Sequence, residues 1–311
     1  MFEYNIKNNV LMHIAYEMHT KNLEKMSESM LIDFIKGYFH QRRVDLNPQG
    51  LLSEIEQRSR LLCKNDKGDF IFRHPSFQEF FVAKRLLRLS ESKADLIQRA
   101  LDPWWENVIF FYTGSKQDAP ELINDIIKNG QEKTPYEAFH KRIIIGKLLQ
   151  AAYLTEHNLK VEALYYAIDG FTENFRQAFD EMMNRNKKKR SEFFTVVLMK
   201  MVLGNNLSSM TLFNAFKDVY KKYEDMSDYE SELKAYLIAH ILASLDETYY
   251  IELLASEPKD ISPILLGNID LDLKWFSDEY GTRFDRKVVT KIKKKVKKNV
   301  EAIKADLYLD N

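Results

Sequence analysis

Arg60 to Leu89 reads RLLCKNDKGDFIFRHPSFQEFFVAKRLLRL, and the reading of the whole chain starts from it. Leu61, Leu62 and Cys63 form one short apolar run, and Phe70, Ile71 and Phe72 form a second. Between them Lys64 to Asp69 is polar and carries Lys67-Gly68, the composition of a turn joining two antiparallel strands. Pro75 then stands where a helix places its first residue, because its φ is already set and its missing N–H costs nothing there. Beyond it Phe77, Phe80, Phe81, Leu86 and Leu87 fall on roughly one helical face, with Gln78, Glu79, Lys84 and Arg85 on others. The spacing predicts two strands, a turn and an abrupt helix.

Upstream, Asn9 to His19 predicts a helix with Leu11, Ile14, Ala15 and Met18 inward. A second runs from Met30 to Gln41 behind a Ser27 or Ser29 cap. A third, Pro48 to Arg58, is opened by Asn47-Pro48 and buries Leu51, Leu52 and Ile55. Helices, a β-wing and a closing helix are the order of a winged-helix domain, expected here over residues 1–90.

The run Phe70 to Lys84, FIFRHPSFQEFFVAK, closely resembles the signature that closes the winged helix of NACHT-type STAND NTPases, the class that includes NOD-like receptors. Leu11-Met12-His13-Ile14-Ala15 and LLSEIEQRSRLL, Leu51 to Leu62, fit the same pattern, and the likeness covers about the first third of the chain. The chain departs from the family in having no G-x-x-x-x-G-K-[ST] and no apolar strand ending in paired acids, so neither the phosphate cradle nor the magnesium site is present. Gly146-Lys147 follows Arg142-Ile143-Ile144-Ile145 and precedes Leu148, which is no phosphate loop. The chain therefore looks like the C-terminal portion of such a protein, beginning inside or just before the winged helix. The resemblance implies a non-catalytic regulatory and sensor segment in signal transduction, with antiviral defence as the role in a bacterial setting. It implies ADP or ATP as the parent's cofactor, none held by this chain alone, and a NACHT domain in another chain or a missing upstream segment as partner. It also implies that His74 contacts the β-phosphate of ADP when that nucleotide domain is present.

Composition sets the outer bounds. The chain has 311 residues, room for two domains or a domain plus a repeat array. Lys+Arg and Asp+Glu are both 46, so global charge gives no push toward nucleic acid or anionic lipid. One cysteine, Cys63, excludes an internal disulfide framework, suits a reducing cytoplasmic setting and is expected to be a buried, inert strand thiol. The start, MFEYNIKNNV, has no apolar core of a signal peptide, and no run approaches the ~20 apolar residues that span a bilayer, so no membrane is expected. The 10 glycines and 7 prolines are few, which favours helix.

From Lys93 onward the pattern is helical throughout. Helices are expected over Asp95–Leu101, Trp104–Tyr112, Glu121–Lys128, Tyr136–Leu154, Leu159–Asp169, Glu173–Asn184, Ser191–Leu203, Ser208–Tyr223, Tyr229–Leu245 and Thr248–Ala255. A turn around Pro258-Pro263, then Leu271–Tyr280 and Phe284–Leu307, close the chain. Short turns between such helices predict stacked antiparallel pairs, an irregular HEAT-like α-helical superhelix over residues 91–311 acting as sensor or scaffold. No fixed repeat period is evident, and doubled aromatics such as Phe110-Phe111 and Tyr249-Tyr250 are expected to fill layers between helices.

No catalytic residue is expected. The seven histidines show no H-x-x-x-H or H-E-x-x-H spacing, and G-x-S-x-G is absent. Gln78 and Glu79 diverge on a helix, so Glu79 reads as a salt-bridge or capping residue holding the wing. His74 read on its own is a residue packed at the strand-to-helix corner and bonded to a backbone carbonyl, and Arg73 beside it is a solvated strand residue or a contact to phosphate or an acidic surface. DNA entry by the Pro48–Arg58 helix is not expected, because Glu54 and Glu56 oppose Arg58 and Arg60. Lys187-Lys188-Lys189-Arg190 reads as a solvated loop. The terminal run Arg286, Lys287, Lys291, Lys293, Lys294, Lys295, Lys297 and Lys298 is threaded by Val288, Ile292, Val296, Val300 and Ile303 at spacings of three and four. It reads as an amphipathic helix packed on the array with a wet basic face; binding to nucleic acid or an acidic partner, or to a membrane surface, are the alternatives. Three functions therefore compete: the NACHT-type regulatory segment, a stand-alone α-solenoid binding a partner protein, and nucleic-acid binding through this basic helix.

Overall fold

The computed structural model describes residues 2–89, 92–129, 131–183, 191–224, 226, 228–246, 261–280 and 286–307. About 75% of the described residues are helical, and the one sheet among them has two antiparallel strands. Two compact units divide it, Met1–Lys116 and Gln117–Asn311.

The first unit contains α1 (Tyr4–Thr20), α2 (Glu28–His40), α3 (Pro48–Glu54), β1 (Leu62–Lys64), β2 (Phe70–Phe72), α4 (Pro75–Leu86), α5 (Ser92–Gln98) and α6 (Glu106–Lys116). Ser27 caps α2 by accepting the Met30 amide, and Asn47 caps α3 by accepting the Gly50 amide. One π-turn, Ile55–Ser59, continues α3 and ends on Arg60 at φ 54°, which swings the chain into β1. Leu62 pairs with Phe72, Cys63 with Ile71 and Lys64 with Phe70. A two-stranded hairpin is marginal alone. This one is anchored by burial of Leu62, Phe70 and Phe72, each contributing about 1.5–3 kcal/mol. Met26, between α1 and α2, adds an isolated antiparallel bridge on the other edge of β2 by exchanging amide and carbonyl with Phe70 at 3.0 and 2.8 Å. At the tip the Asn65 side chain accepts from the Lys67 and Asp69 amides, and Gly68 takes φ 82°. The central helix is α4, packed on α1 and on α6.

The second unit contains α7 (Pro120–Asn129), α8 (Pro135–Ala151), α9 (His157–Asp169), α10 (Phe171–Met183), α11 (Glu192–Leu207), α12 (Phe213–Tyr220), α13 (Tyr229–Leu245), α14 (Pro263–Tyr280), α15 (Arg286–Lys298) and α16 (Val300–Leu307). α8 packs on α9 and α10, α9 on α12, α11 on α13 and α14, and α15 and α16 on α14. Thr134, Ser191 and Asp228 cap α8, α11 and α13 through their side-chain oxygens.

Several expectations change. The first compact unit runs past residue 90 to Lys116, because α6 packs directly on α4. The expected Phe77–Leu87 face is split: Phe81 and Leu86 are buried, while Phe77, Phe80 and Leu87 are exposed at 38%, 36% and 37%. Squeezed between α1 and α6, α4 also buries Gln78, Val82 and Ala83. The helix expected over Trp104–Tyr112 runs from Glu106 through Gly114 to Lys116. Cys63 is half-buried, since along β1 only Leu62 is fully buried. Pro263 opens α14 rather than closing a turn, so that helix starts eight residues before Leu271. The expected final helix is two, broken at Asn299, whose side chain donates to the Lys295 carbonyl at 3.0 Å. The expected Thr248–Ala255 helix, Tyr249-Tyr250 and the Lys187–Arg190 run lie outside the described residues. Among the described residues no single helix is long and apolar enough to cross a membrane.

Candidate functional site

His74 is where the hairpin gives way to a helix, and its backbone shows why a histidine can stand there. At φ −138° and ψ 138° it is extended, it is the N-cap of α4, and Pro75 takes the first helical position. Its Nδ1 accepts the Ser76 amide at 3.2 Å and lies 2.6 Å from the Ser76 hydroxyl. A ring nitrogen that accepts cannot carry the proton, so the neutral imidazole bears its N–H on Nε2. The side chain is exposed, and Nε2 has no partner among the described residues. The cap thus turns His74 into a fixed outward donor at the positive end of a helix, a geometry suited to an anion.

Around it lies an apolar rim. The Phe77 ring is 6.5 Å from the imidazole, edge-on. Phe80 meets Phe111 at 5.8 Å, and Phe111 meets Phe110 at 6.0 Å. Phe77, Phe80 and Phe110 are each more than a third exposed, so α4 and α6 present three aromatic side chains to solvent on one unit. Lys84 stands 5.4 Å from the Phe80 ring centre and donates to Asn8.

The neighbours are structural. Arg73 is exposed, has no ion-pair partner among the described residues, and continues the hairpin ladder by donating its amide to Leu61 O at 2.9 Å. Gln78 is buried and donates to Leu23 O. Glu79 accepts from Asn107 at 3.1 Å, which ties α4 to α6; it does not hold the wing. Glu54 accepts the Phe2 amide and pairs with Lys7 at 2.9 Å, and these contacts hold its carboxyl below the usual range. Gly146 lies inside α8, where Leu207 of α11 crosses it. Lys293, Lys294, Lys297 and Lys298 are exposed on α15, while Lys295 is half-buried. The structure does not bring the basic helix and His74 into one unit.

Sequence reading missed a buried polar cluster in the second unit. Lys200 of α11 meets Asp272 of α14 at 2.6 Å. The other Asp272 oxygen accepts from the Tyr236 hydroxyl and lies 3.2 Å from His240 Nδ1. The signal was present: Lys200 follows Val196 and Met199 and precedes Leu203 on one stripe, and Asp272 falls between Ile269 and Phe276 on another. Also missed was His19, buried between Trp104, stacked at 4.8 Å, and Trp105, edge-on at 4.7 Å. Both its ring nitrogens lack a hydrogen-bond partner, and burial lowers its pKa to about 4. Among the described residues no group of three or more His, Cys, Asp or Glu could hold a metal ion.

Comparison with protein-family models, with curated proteins and with solved structures yields no match to this chain.

Proposed function

We propose that this chain is a regulatory segment of a NACHT-type signalling NTPase, working with a nucleotide-binding domain carried upstream or on another chain. Met1–Lys116 acts as the winged-helix clamp, and Gln117–Asn311 as a HEAT-like helical sensor. The carrying observation is His74, held as a one-way donor by its own cap, with its Nε2–H free and an exposed aromatic rim beside it. The helix–helix–helix–wing–helix order and the Met26 bridge support the same reading. In the clamped state His74 donates to an ADP phosphate while Phe77, Phe80 and Phe110 are covered by the nucleotide domain. A trigger, a protein ligand in the simplest case, binds the helical unit and releases the clamp only if it favours the open state; shifting 1:99 to 99:1 needs ~5.5 kcal/mol of such preference. Catalysis belongs to the nucleotide domain, and the chain works in the cytoplasm.

The test is nucleotide retention in the intact assembly, this chain together with its P-loop-bearing segment, read by denaturing the purified protein and identifying what it releases. His74→Ala is expected to lower retained ADP and raise basal signalling. Unchanged retention together with unchanged signalling overturns the reading. The competing reading is a helical scaffold that binds a partner chain without nucleotide, which the lack of a phosphate loop in this sequence favours. It is distinguished by a transcript with no reading frame for a P-loop beside this one.

A further inference from the structure

α15, RKVVTKIKKKVKK, carries eight cations, and no acid occurs from Arg286 to Asn299. Because the chain holds 46 bases and 46 acids, these eight leave the remainder with eight more acids than bases. A neutral protein thus concentrates positive charge on one helix. At ~3.6 residues per turn the cations sweep a little over half of the helix circumference, and the apolar residues fill the rest.

The apolar side is already used. Ile292 is buried, and so is Ile303 of α16, which with Phe193 crowds Gly267 on α14. A helix that lies in a bilayer surface needs that apolar side for the lipid, so the membrane alternative loses its main attraction. The opposite side remains open. Lys293, Lys294, Lys297 and Lys298 are exposed, and none has an ion-pair partner among the described residues. The pairs 293/297 and 294/298 are like charges one turn apart, which repel along the helix. A polyanion relieves that repulsion.

The residue type narrows the partner. Seven of the eight cations are lysine, a point charge without the planar fork of arginine. Protein interfaces are depleted in lysine, whereas phosphate backbones are bound by such charges through counterion release. Base reading needs bidentate groups and single-strand binding needs aromatic platforms; α15 contains no aromatic residue and one arginine. We propose that the Lys293, Lys294, Lys297 and Lys298 face of α15 binds the phosphate backbone of double-stranded nucleic acid without sequence preference. The proposal does not depend on the nucleotide clamp, since its readout involves neither ADP nor His74.

The test is fluorescence anisotropy with the full chain and a mixed-sequence DNA duplex of roughly 25 base pairs, titrated between about 50 and 200 mM salt. The expected result is micromolar binding at the lower salt, with log K falling against log salt at a slope of about −3.6, as four phosphate contacts require. Changing the four lysines to glutamine should weaken binding at least tenfold and leave thermal unfolding unchanged; changing them to arginine should preserve binding. A second unrelated duplex should bind equally, and a single strand of the same length more weakly. Absence of duplex binding at the lower salt overturns the proposal, as does binding that survives the glutamine changes. Preference for phosphatidylserine vesicles or polyglutamate over the duplex overturns it in favour of a membrane or an acidic protein.

Discussion

Lys200 and Asp272 form a 2.6 Å ion pair whose side chains are each 5% exposed, joining α11 to α14 inside the helical unit. Tyr236 and His240 of α13 bond the second carboxylate oxygen, so three helices meet on one acid. Lys200→Met leaves the carboxylate buried without its cation and is expected to cost about 3–5 kcal/mol. Adding Asp272→Leu removes the uncompensated charge and should recover part of that loss. Urea unfolding of the two single variants and the double variant checks this; additive losses would show that the pair is not coupled.

Acid should weaken the same cluster. Burial alone raises the Asp272 pKa, but the charge and hydrogen bond of His240 and then of Lys200 outweigh it and hold the carboxyl below the ordinary 3.8 of an aspartate. A depressed acid stabilises the fold fully above the unfolded value and loses that contribution as pH falls through the folded one. The Asp272→Asn variant should therefore show a smaller loss of stability below pH ~3.8 than the native chain.

His19 works in a higher window. Burial lowers its pKa from 6.5 to about 4, so between those values the unfolded chain binds the extra proton. Stability is full above pH 6.5 and falls toward pH 4, on the order of 3 kcal/mol at ~1.36 kcal/mol per unit. His13 is also lowered to about 4, first by burial and then by Arg85, Arg42 and Arg88, and it titrates in the same window. His19→Phe keeps a ring between Trp104 and Trp105, so it should flatten roughly half of the pH slope. An unaltered slope would locate the titration elsewhere.

Asp306 of α16 caps a different helix. Its carboxylate accepts the Glu192 and Phe193 amides at 3.1 and 2.7 Å and the Ser191 hydroxyl at 2.9 Å. Asp306→Ala should cost about 1–2 kcal/mol and speed hydrogen exchange at the first turn of α11. Unchanged exchange at those amides would contradict the cap.

Two helical glycines should respond with opposite signs. A Cβ at Gly146 would stand 2.5 Å from Leu207, whereas one at Gly204 meets nothing within 4 Å. Gly204→Ala is expected to stabilise by about 0.5–1 kcal/mol, the difference in helix propensity. Gly146→Ala gains the same propensity but overpacks a core contact at about 1–3 kcal/mol, so it should destabilise. Thermal unfolding of both variants reads the two signs directly.

Local chemistry made much of this protein legible from its residues. The two-stranded hairpin, the Pro75 start of α4, the Ser27 and Asn47 caps and the Tyr229–Leu245 helix follow from turn residues, proline geometry and apolar period, all of which act within a few residues. His74 was expected to bond a backbone carbonyl; its Nδ1 accepts the Ser76 amide instead, because the residue takes the N-cap position of α4. Packing decided what the period left open. Several faces of α4 carry apolar residues, and only its place between α1 and α6 selected Gln78, Phe81 and Leu86 for burial and left Phe77 and Phe80 outside. Lys200, Asp272, Tyr236 and His240 are up to 72 positions apart, so no spacing rule links them until three helices bring them together. What the sequence alone determined was the order and caps of its elements, because those energies are local; which faces meet, and therefore which charges are buried and which lysines stay open, was decided by the tertiary structure, because burial is set by neighbours that lie far along the chain.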